Sequence, residues 1–189
     1  YDRDGWLDLF VANYVDFSLT SHKPCYAPTG MLDYCGPLSY QPSPNRLFHN
    51  QGNGSFVDAS ATSRIAADYG GALGVIASDF NDDGWPDIYV ANDGRANQLW
   101  LNQHDGSFVE DALMSGTAFN EQGTPEGSMG VVAGDFDSDG DDDLFMTHID
   151  QETNTLYRNA GGGLFEDDTF EAGLGVLSRG FTGFGTAWL

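Results

Sequence analysis

Short apolar runs recur along this chain, and each is bracketed by acidic and asparagine-rich stretches. Ile88-Tyr89-Val90-Ala91 is apolar at four successive positions, with neither alternation nor helical spacing. Such a run reads as a strand covered on both faces. Around it the pattern predicts strands at about 74–79, 87–92, 97–102 and 107–110. Asn102-Gln103-His104-Asp105-Gly106 has the glycine-bearing composition of a hairpin connection. No segment sustains a 3.6-residue period, so the expected class is all-β.

The pattern repeats. Asp79-Phe80-Asn81-Asp82-Asp83-Gly84-Trp85-Pro86-Asp87-Ile88-Tyr89-Val90-Ala91-Asn92 has a near copy from Asp135 to His148, and a third, truncated copy runs from Asp2 to Asn13. After each comes a second element: Asn45-Arg46-Leu47-Phe48-His49-Asn50, Asn97-Gln98-Leu99-Trp100-Leu101-Asn102 and Asn154-Thr155-Leu156-Tyr157-Arg158-Asn159. A glycine turn and an aromatic follow, at Phe56, Phe108 and Phe165. Asp83 and Asp139 are 56 residues apart, whereas Asp4 and Asp83 are 79 apart, so the first unit carries an insertion, about 15–44. Repeated four-stranded units of this length suggest propeller blades rather than a solenoid or a two-sheet sandwich. The expected division is one partial β-propeller: 1–73 as the first blade, 74–128 as the second, 129–181 as the third, and 182–189 as the first strand of another. The chain opens inside a motif, and Gly183–Leu189 matches the lead-in Gly71–Ala77, so it reads as a piece of something longer.

Composition narrows the partners. The 189 residues hold 29 acids against 7 bases, a formal charge of −22, yet 40% are apolar and 13% aromatic. That supports a folded core rather than disorder. The shortage of Lys and Arg argues against nucleic acid and anionic membrane surfaces. No apolar run is long enough to span a bilayer.

The acidity has an address. The segments 1–8, 79–87 and 135–143 contain three, four and six acids, 13 of the 29. Their pattern is Asp-x-Asp/Asn-x-Asp-Gly-x-x-Asp, with side-chain oxygens at positions 1, 3, 5 and 9. Position 6 is glycine, where a sharp turn needs positive φ. Position 7 would offer a backbone carbonyl. Hard oxygens crowded in this way suit Ca²⁺, and the candidate ligands are Asp79, Asn81, Asp83, Trp85 and Asp87 in one loop. In the next they are Asp135, Asp137, Asp139, Asp141 and Asp143. The truncated loop offers Asp2, Asp4, Trp6 and Asp8, and its position 1 falls before residue 1. Three bound Ca²⁺ would move the formal charge from −22 to −16. The loop is not an EF-hand, since position 12 is Val90 or Met146 instead of glutamate.

These repeats resemble the FG-GAP/VCBS calcium repeats of integrin-α-type β-propellers, matching position by position over Asp79–Asp87 and Asp135–Asp143. Phe10-Val11-Ala12-Asn13-Tyr14, Tyr34-Cys35-Gly36-Pro37 and the Asn-x-Leu-Phe-x-Asn-x-x-Gly-x-Gly-x-Phe element are similar to bacterial secreted proteins of the ASPIC/UnbV-associated group. The resemblance implies a propeller of seven or a similar number of blades, extracellular, cell-surface or periplasmic, with structural calcium in the loops and partners bound by loops on one face. Three blades alone would not close such a ring.

The insertion holds both cysteines, Cys25 and Cys35. In an extracytoplasmic, calcium-bearing setting they are expected as a disulfide; two free thiols, or a metal site with His22, are the other readings. Its tyrosines and prolines either make it the surface for a protein or polysaccharide partner or pack over the blade edge. Trp6 and Trp85 share a loop position and either stack on sugar or pack on the neighbouring blade. For catalysis the sequence offers little: Glu126-Gly127-Ser128-Met129-Gly130 lacks the leading glycine of a nucleophile elbow, and the four histidines share no ligand spacing. The function expected is a non-catalytic, calcium-binding extracellular propeller module for support and for protein or glycan binding. The rival readings are an assembly built by pairing of open blade edges and a calcium-dependent polysaccharide-acting enzyme.

Overall fold

The computed structural model describes residues 1–188. The chain forms β1 (Leu9–Val11), β2 (Cys25–Tyr26), β3 (Leu32–Asp33), β4 (Arg46–Asn50), β5 (Phe56–Asp58), β6 (Ala72–Ser78), β7 (Asp87–Asn92), β8 (Gln98–Asn102), β9 (Phe108–Glu110), α1 (Ala112–Ser115), β10 (Val131–Gly134), β11 (Asp143–Met146), β12 (Thr155–Asn159) and β13 (Phe165–Asp167). The strands build three repeated antiparallel sheets in sequence order: β1-β4-β5, β6-β7-β8-β9 and β10-β11-β12-β13. The class is therefore all-β, with four-stranded units in the second and third repeats.

The unbroken apolar run of β7 is explained by its neighbours. All six of its residues are buried. Ile88 and Val90 face Leu47, Ile65, Trp100 and Phe108 on the side of the first sheet. Tyr89 and Ala91 face Leu99, Leu144, Met146 and Tyr157 on the side of the third. Each sheet thus sits face to face with the next, as blades do, and two apolar layers separate three sheets. The first strands of the second and third sheets, β6 and β10, lie side by side. A Cβ on Gly74 of β6 would sit 2.2 Å from the Met129 carbonyl oxygen, so only glycine admits that approach.

Three local expectations are corrected. Asn97 lies outside β8, because its side-chain oxygen accepts the Asn92 N–H (2.9 Å) and closes the β7–β8 turn. The turn of helix α1 was not expected; four residues are too few to show a period, and Gly116 (φ 89°) stops it. Residues 182–188 form no strand, since no ladder partner for them is among the described residues, although a Cβ on Gly130 would sit 2.9 Å from the Phe184 carbonyl oxygen. Leu189, the last residue of that expected strand, lies outside the described residues. The first sheet has three strands, with no counterpart of β6.

In the insertion, β2 and β3 form a hairpin, and Cys25 and Cys35 are disulfide-bonded with Cα atoms 5.2 Å apart. A cleft of about 780 Å³ opens beside this bond, lined by Phe17, His22, Lys23, Tyr34 and Tyr40 among others. Among the described residues no helix is long and apolar enough to cross a membrane.

Glu110 closes the second sheet. Its Oε1 accepts the N–H groups of Leu99 (3.1 Å) and Ala112 (2.9 Å). Burial raises its pKa above 4.5, against the pull of those two donors. The folded protein therefore holds a proton that the unfolded chain has released, and this contribution weakens as pH climbs above about 4.5. Glu110→Gln keeps the acceptor and removes the charge. Urea unfolding should find the two proteins close near pH 4.5 and the variant gaining on the wild type by pH 7; parallel pH profiles would count against this.

Candidate functional site

The three acidic loops share one backbone path. Position 4 has positive φ in each (Arg3 61°, Asp82 56°, Ser138 66°), as has the glycine at position 6 (Gly5 93°, Gly84 86°, Gly140 103°). The side chains at positions 1, 3 and 5 impose that path by folding back onto the loop's own N–H groups. Asp135 accepts from Asp139 and Gly140 at 3.1 Å, Asp137 from Asp139 at 3.2 Å, and Asp139 from Asp141 at 3.0 Å. Asp79, Asn81 and Asp83 repeat the pattern at 2.8–3.2 Å, and in the truncated loop Asp2 and Asp4 make the two bonds available to them. The expected residues are neighbours within each loop, but among the described residues only the third loop brings three of its carboxylates, Asp135, Asp137 and Asp143, within 4.8 Å of one another; Asp139 is outside that group, and Asp79, Asp83 and Asp87 form no such group.

Position 9 is different. Asp87 and Asp143 have no exposed surface. Asp143 Oδ1 accepts the Asn159 N–H (2.8 Å) and Oδ2 the Phe136 N–H (2.6 Å). Asp87 does the same with Asn102 (2.8 Å) and Phe80 (3.1 Å), and Asp8 with Asn50 (2.8 Å) and the Tyr1 amino group (2.7 Å). Each carboxylate joins its loop to the end of the third strand while keeping lone pairs free. Burial pushes the Asp87 pKa up to about 6, with Asp83 and Asp79 adding to the rise.

The donor set can be tested against a cation. Carboxylate oxygens of Asp135, Asp137 and Asp143 lie within 4.8 Å of one another. Ligands around Ca²⁺ at about 2.4 Å can be no farther apart than about 4.8 Å, so these three fit one coordination sphere. The second loop is more neutralised. Asn81 supplies position 3, and Asp83 Oδ2 is met by Asn81 Nδ2 and by His104 Nε2, both at 2.9 Å. Burial alone would raise the Asp83 pKa, but the bonds from His104, Trp85 N–H and Asn81 outweigh it and hold it low. In the first loop His49 joins Asp2 and Asp4.

Residues 29–90 and 79–146 match the FG-GAP-like repeat. The chain belongs to the FG-GAP-like repeat family. Cartilage acidic protein 1 of Mus musculus is 35% identical over 159 residues, 82% of this chain and 24% of that protein. The Homo sapiens protein of the same name is 32% identical over 159 residues, 82% of this chain and 23% of its own length. The Xenopus tropicalis protein is 32% identical over 106 residues, covering 56% of this chain and 16% of its own. The chain thus spans about a quarter or less of these vertebrate relatives.

Several residues of these FG-GAP repeats act in ways the sequence did not announce. His104 takes a left-handed conformation (φ 64°) where the other units have Gly52 and Gly161. Its ring stacks on Trp85 at 5.0 Å, and the Arg3 guanidinium covers Trp85 from the neighbouring unit at 5.4 Å. Trp85 is thus packed between units, while Trp6 stays 56% exposed. Ser128 Oγ lies 3.3 Å from His148 Nε2, whose Nδ1 is 3.5 Å from Glu126 Oε2, the order of a hydrolytic triad. Ser128 has no exposed surface, however, and the N–H groups of Ser128, Met129 and Gly130 all donate within the fold, leaving no oxyanion donors there. The line is a buried tie.

The repeat asparagine at the end of the third strand completes the loop anchor. Asn159 is fully buried, and its amide donates to the carbonyls of Phe80 (2.8 Å) and Asp142 (3.3 Å). Asn50, partly exposed, makes one such bond, to Leu7 (2.9 Å). Asn159→Ala should lower stability in urea unfolding by about 2–3 kcal/mol, and Asn50→Ala by clearly less. Equal costs would show that burial of the amide is not what matters.

Proposed function

We propose that this chain is a calcium-binding segment of an extracellular β-propeller, a non-catalytic scaffold that presents loops to a protein or glycan. The observation that carries the reading is the third acidic loop, where three carboxylates fit one Ca²⁺ sphere on a backbone path shared by all three loops. When bound, Ca²⁺ supplies positive charge that offsets repulsion among the aspartates. The chain's own residues do the rest. Positions 1, 3 and 5 are held ready by bonds to loop N–H groups, and Asp141 and Trp85 would add backbone carbonyls. As ligands, Asp87 and Asp143 would link the ion to the sheet, because each is bonded to the end of a third strand. The disulfide supports an oxidising, extracytoplasmic location. The contact surface in this reading is the insertion cleft, where the exposed Tyr34 borders Lys23, the chain's single lysine.

A specific observation also favours self-association as a second reading. Leu177, Phe181 and Phe184 are 70–77% exposed after the third sheet, an apolar surface that another repeat or copy would cover.

Saturating Ca²⁺ at a hundred times its Kd should stabilise each site by about 2.7 kcal/mol, so EDTA should lower Tm by several degrees. Asp139→Asn should remove part of that response. Tb³⁺ should luminesce on excitation of the indoles, and Trp85→Phe should dim the signal. Unchanged Tm in EDTA together with no Tb³⁺ signal would overturn the reading.

A further inference from the structure

The acidic loops sit at one end of the sheets, joining first strands to second strands. At the opposite end of the third sheet lies another cluster, built from residues outside those loops. Glu126 precedes β10, His148 follows β11, and Glu152 and Thr153 belong to the β11–β12 turn. Donor atoms of Glu126, His148 and Glu152 lie within 4.8 Å of one another. His148 is 1% exposed, and its Nδ1 faces the Thr153 carbonyl oxygen at 2.8 Å and Glu126 Oε2 at 3.5 Å.

Charge makes the cluster unusual. Burial and mutual repulsion raise the pKa of Glu126, and burial with the nearby Asp93 raises that of Glu152. The groups that meet them are neutral. Gly127 N–H donates to Glu152 Oε2 (2.7 Å), and Thr155 Oγ1 donates to Glu126 Oε2 (3.4 Å). Among the described residues, neither glutamate forms an ion pair with Lys or Arg. Comparison with the second repeat shows that the fold does not require this set: there the corresponding positions are Gly70, Asn92 and Arg95.

Donors at about 2.1 Å from a small dication stand about 3.0–3.4 Å apart in octahedral or tetrahedral order; the distances from Nδ1 to the carbonyl and to Glu126, 2.8 and 3.5 Å, bracket that range, so an ion would have to displace the Thr153 carbonyl slightly and draw Glu126 in. The outer ring nitrogen, Nε2, meets Ser128 Oγ at 3.3 Å, as the far nitrogen of a metal-bound imidazole meets a second-shell partner. We propose that Glu126, His148, Glu152 and the Thr153 carbonyl bind a borderline divalent cation of the zinc class, at a site separate from the calcium loops. One imidazole with carboxylates and a carbonyl favours such an ion over Ca²⁺, which takes oxygen alone.

Binding switches the tautomer. Without metal, Nδ1–H donates to the Thr153 carbonyl and Nε2 accepts from Ser128. With metal, Nδ1 gives its lone pair to the ion, the ring proton sits on Nε2, and the Ser128 oxygen accepts. The proton is conserved on the ring.

The test is a ZnCl₂ titration of the protein in saturating Ca²⁺, by calorimetry, with ¹⁵N NMR of the histidine rings. The expected result is one equivalent bound and His148 changing from the Nδ1–H to the Nε2–H form. Affinity should fall at least about tenfold in Glu152→Gln, which keeps an acceptor for Gly127 N–H, and in His148→Gln. Asp139→Asn should leave it unchanged. The proposal is overturned by no stoichiometric binding, by an unchanged His148 tautomer, or by binding that follows Asp2, Asp4 and His49 or Asp139 instead. Calcium-dependent stability surviving any of these outcomes would show that the calcium reading stands apart.

Discussion

A buried carboxylate at the base of each acidic loop connects everything else. Asp143 binds one N–H from its own loop and one from the end of the third strand, and Asp87 and Asp8 repeat the arrangement. A buried carboxylate must be hydrogen-bonded, and each of these accepts one N–H on each oxygen from donors that would otherwise be orphaned, with further lone pairs left over. The loop, the second strand that starts at this aspartate, and the third strand are thereby fastened at one point. The reciprocal asparagine, Asn102 or Asn159, donates to a carbonyl of its own loop, Pro86 or Asp142, and to the second residue of the preceding unit's loop, Tyr1 or Phe80. One polar knot therefore holds a blade together and ties it to the preceding one.

Against that frame the apolar layers do the packing. Leu47, Ile88, Val90 and Trp100 fill one interface and Tyr89, Leu99, Leu144 and Tyr157 the other. The middle sheet is buried on both faces because it has a sheet on each side. Many of the most exposed apolar residues lie in the insertion and after the third sheet, Leu19, Tyr34, Leu177 and Phe181 among them. Polar clusters lie at both ends of the sheets: aspartates, joined by His49 and His104, at the acidic-loop end, and His148 between two glutamates at the other.

Repeats invite the assumption that equivalent positions do equivalent things. The third loop gathers three carboxylates within one sphere, whereas in the second His104 and Asn81 engage Asp83 from outside. His104 accepts a left-handed conformation, unfavourable for a residue with a Cβ, at a position where glycine would serve; Trp85 stacks on its ring, and Arg3 lies over Trp85. The loops thus share a backbone and differ in charge and cover.

The sequence by itself determined the all-β class, the repetition and the turn geometry of the acidic loops, because these are local. Apolar runs without alternation mark doubly covered strands, and an Asp-x-Asp-x-Asp-Gly spacing dictates its own turn through side-chain bonds to neighbouring N–H groups. The Cys25–Cys35 bond was legible for the same reason, ten residues apart in a hairpin. What only the tertiary structure decided were encounters across long stretches of chain. Arg3 covers Trp85, Asn159 reaches Phe80, and Glu126 meets His148 and Glu152. None of these pairs has a spacing that a period could reveal. Their proximity follows from one sheet stacking on the next and from strands reversing at the far end, which is a property of the assembled layers rather than of any segment within them.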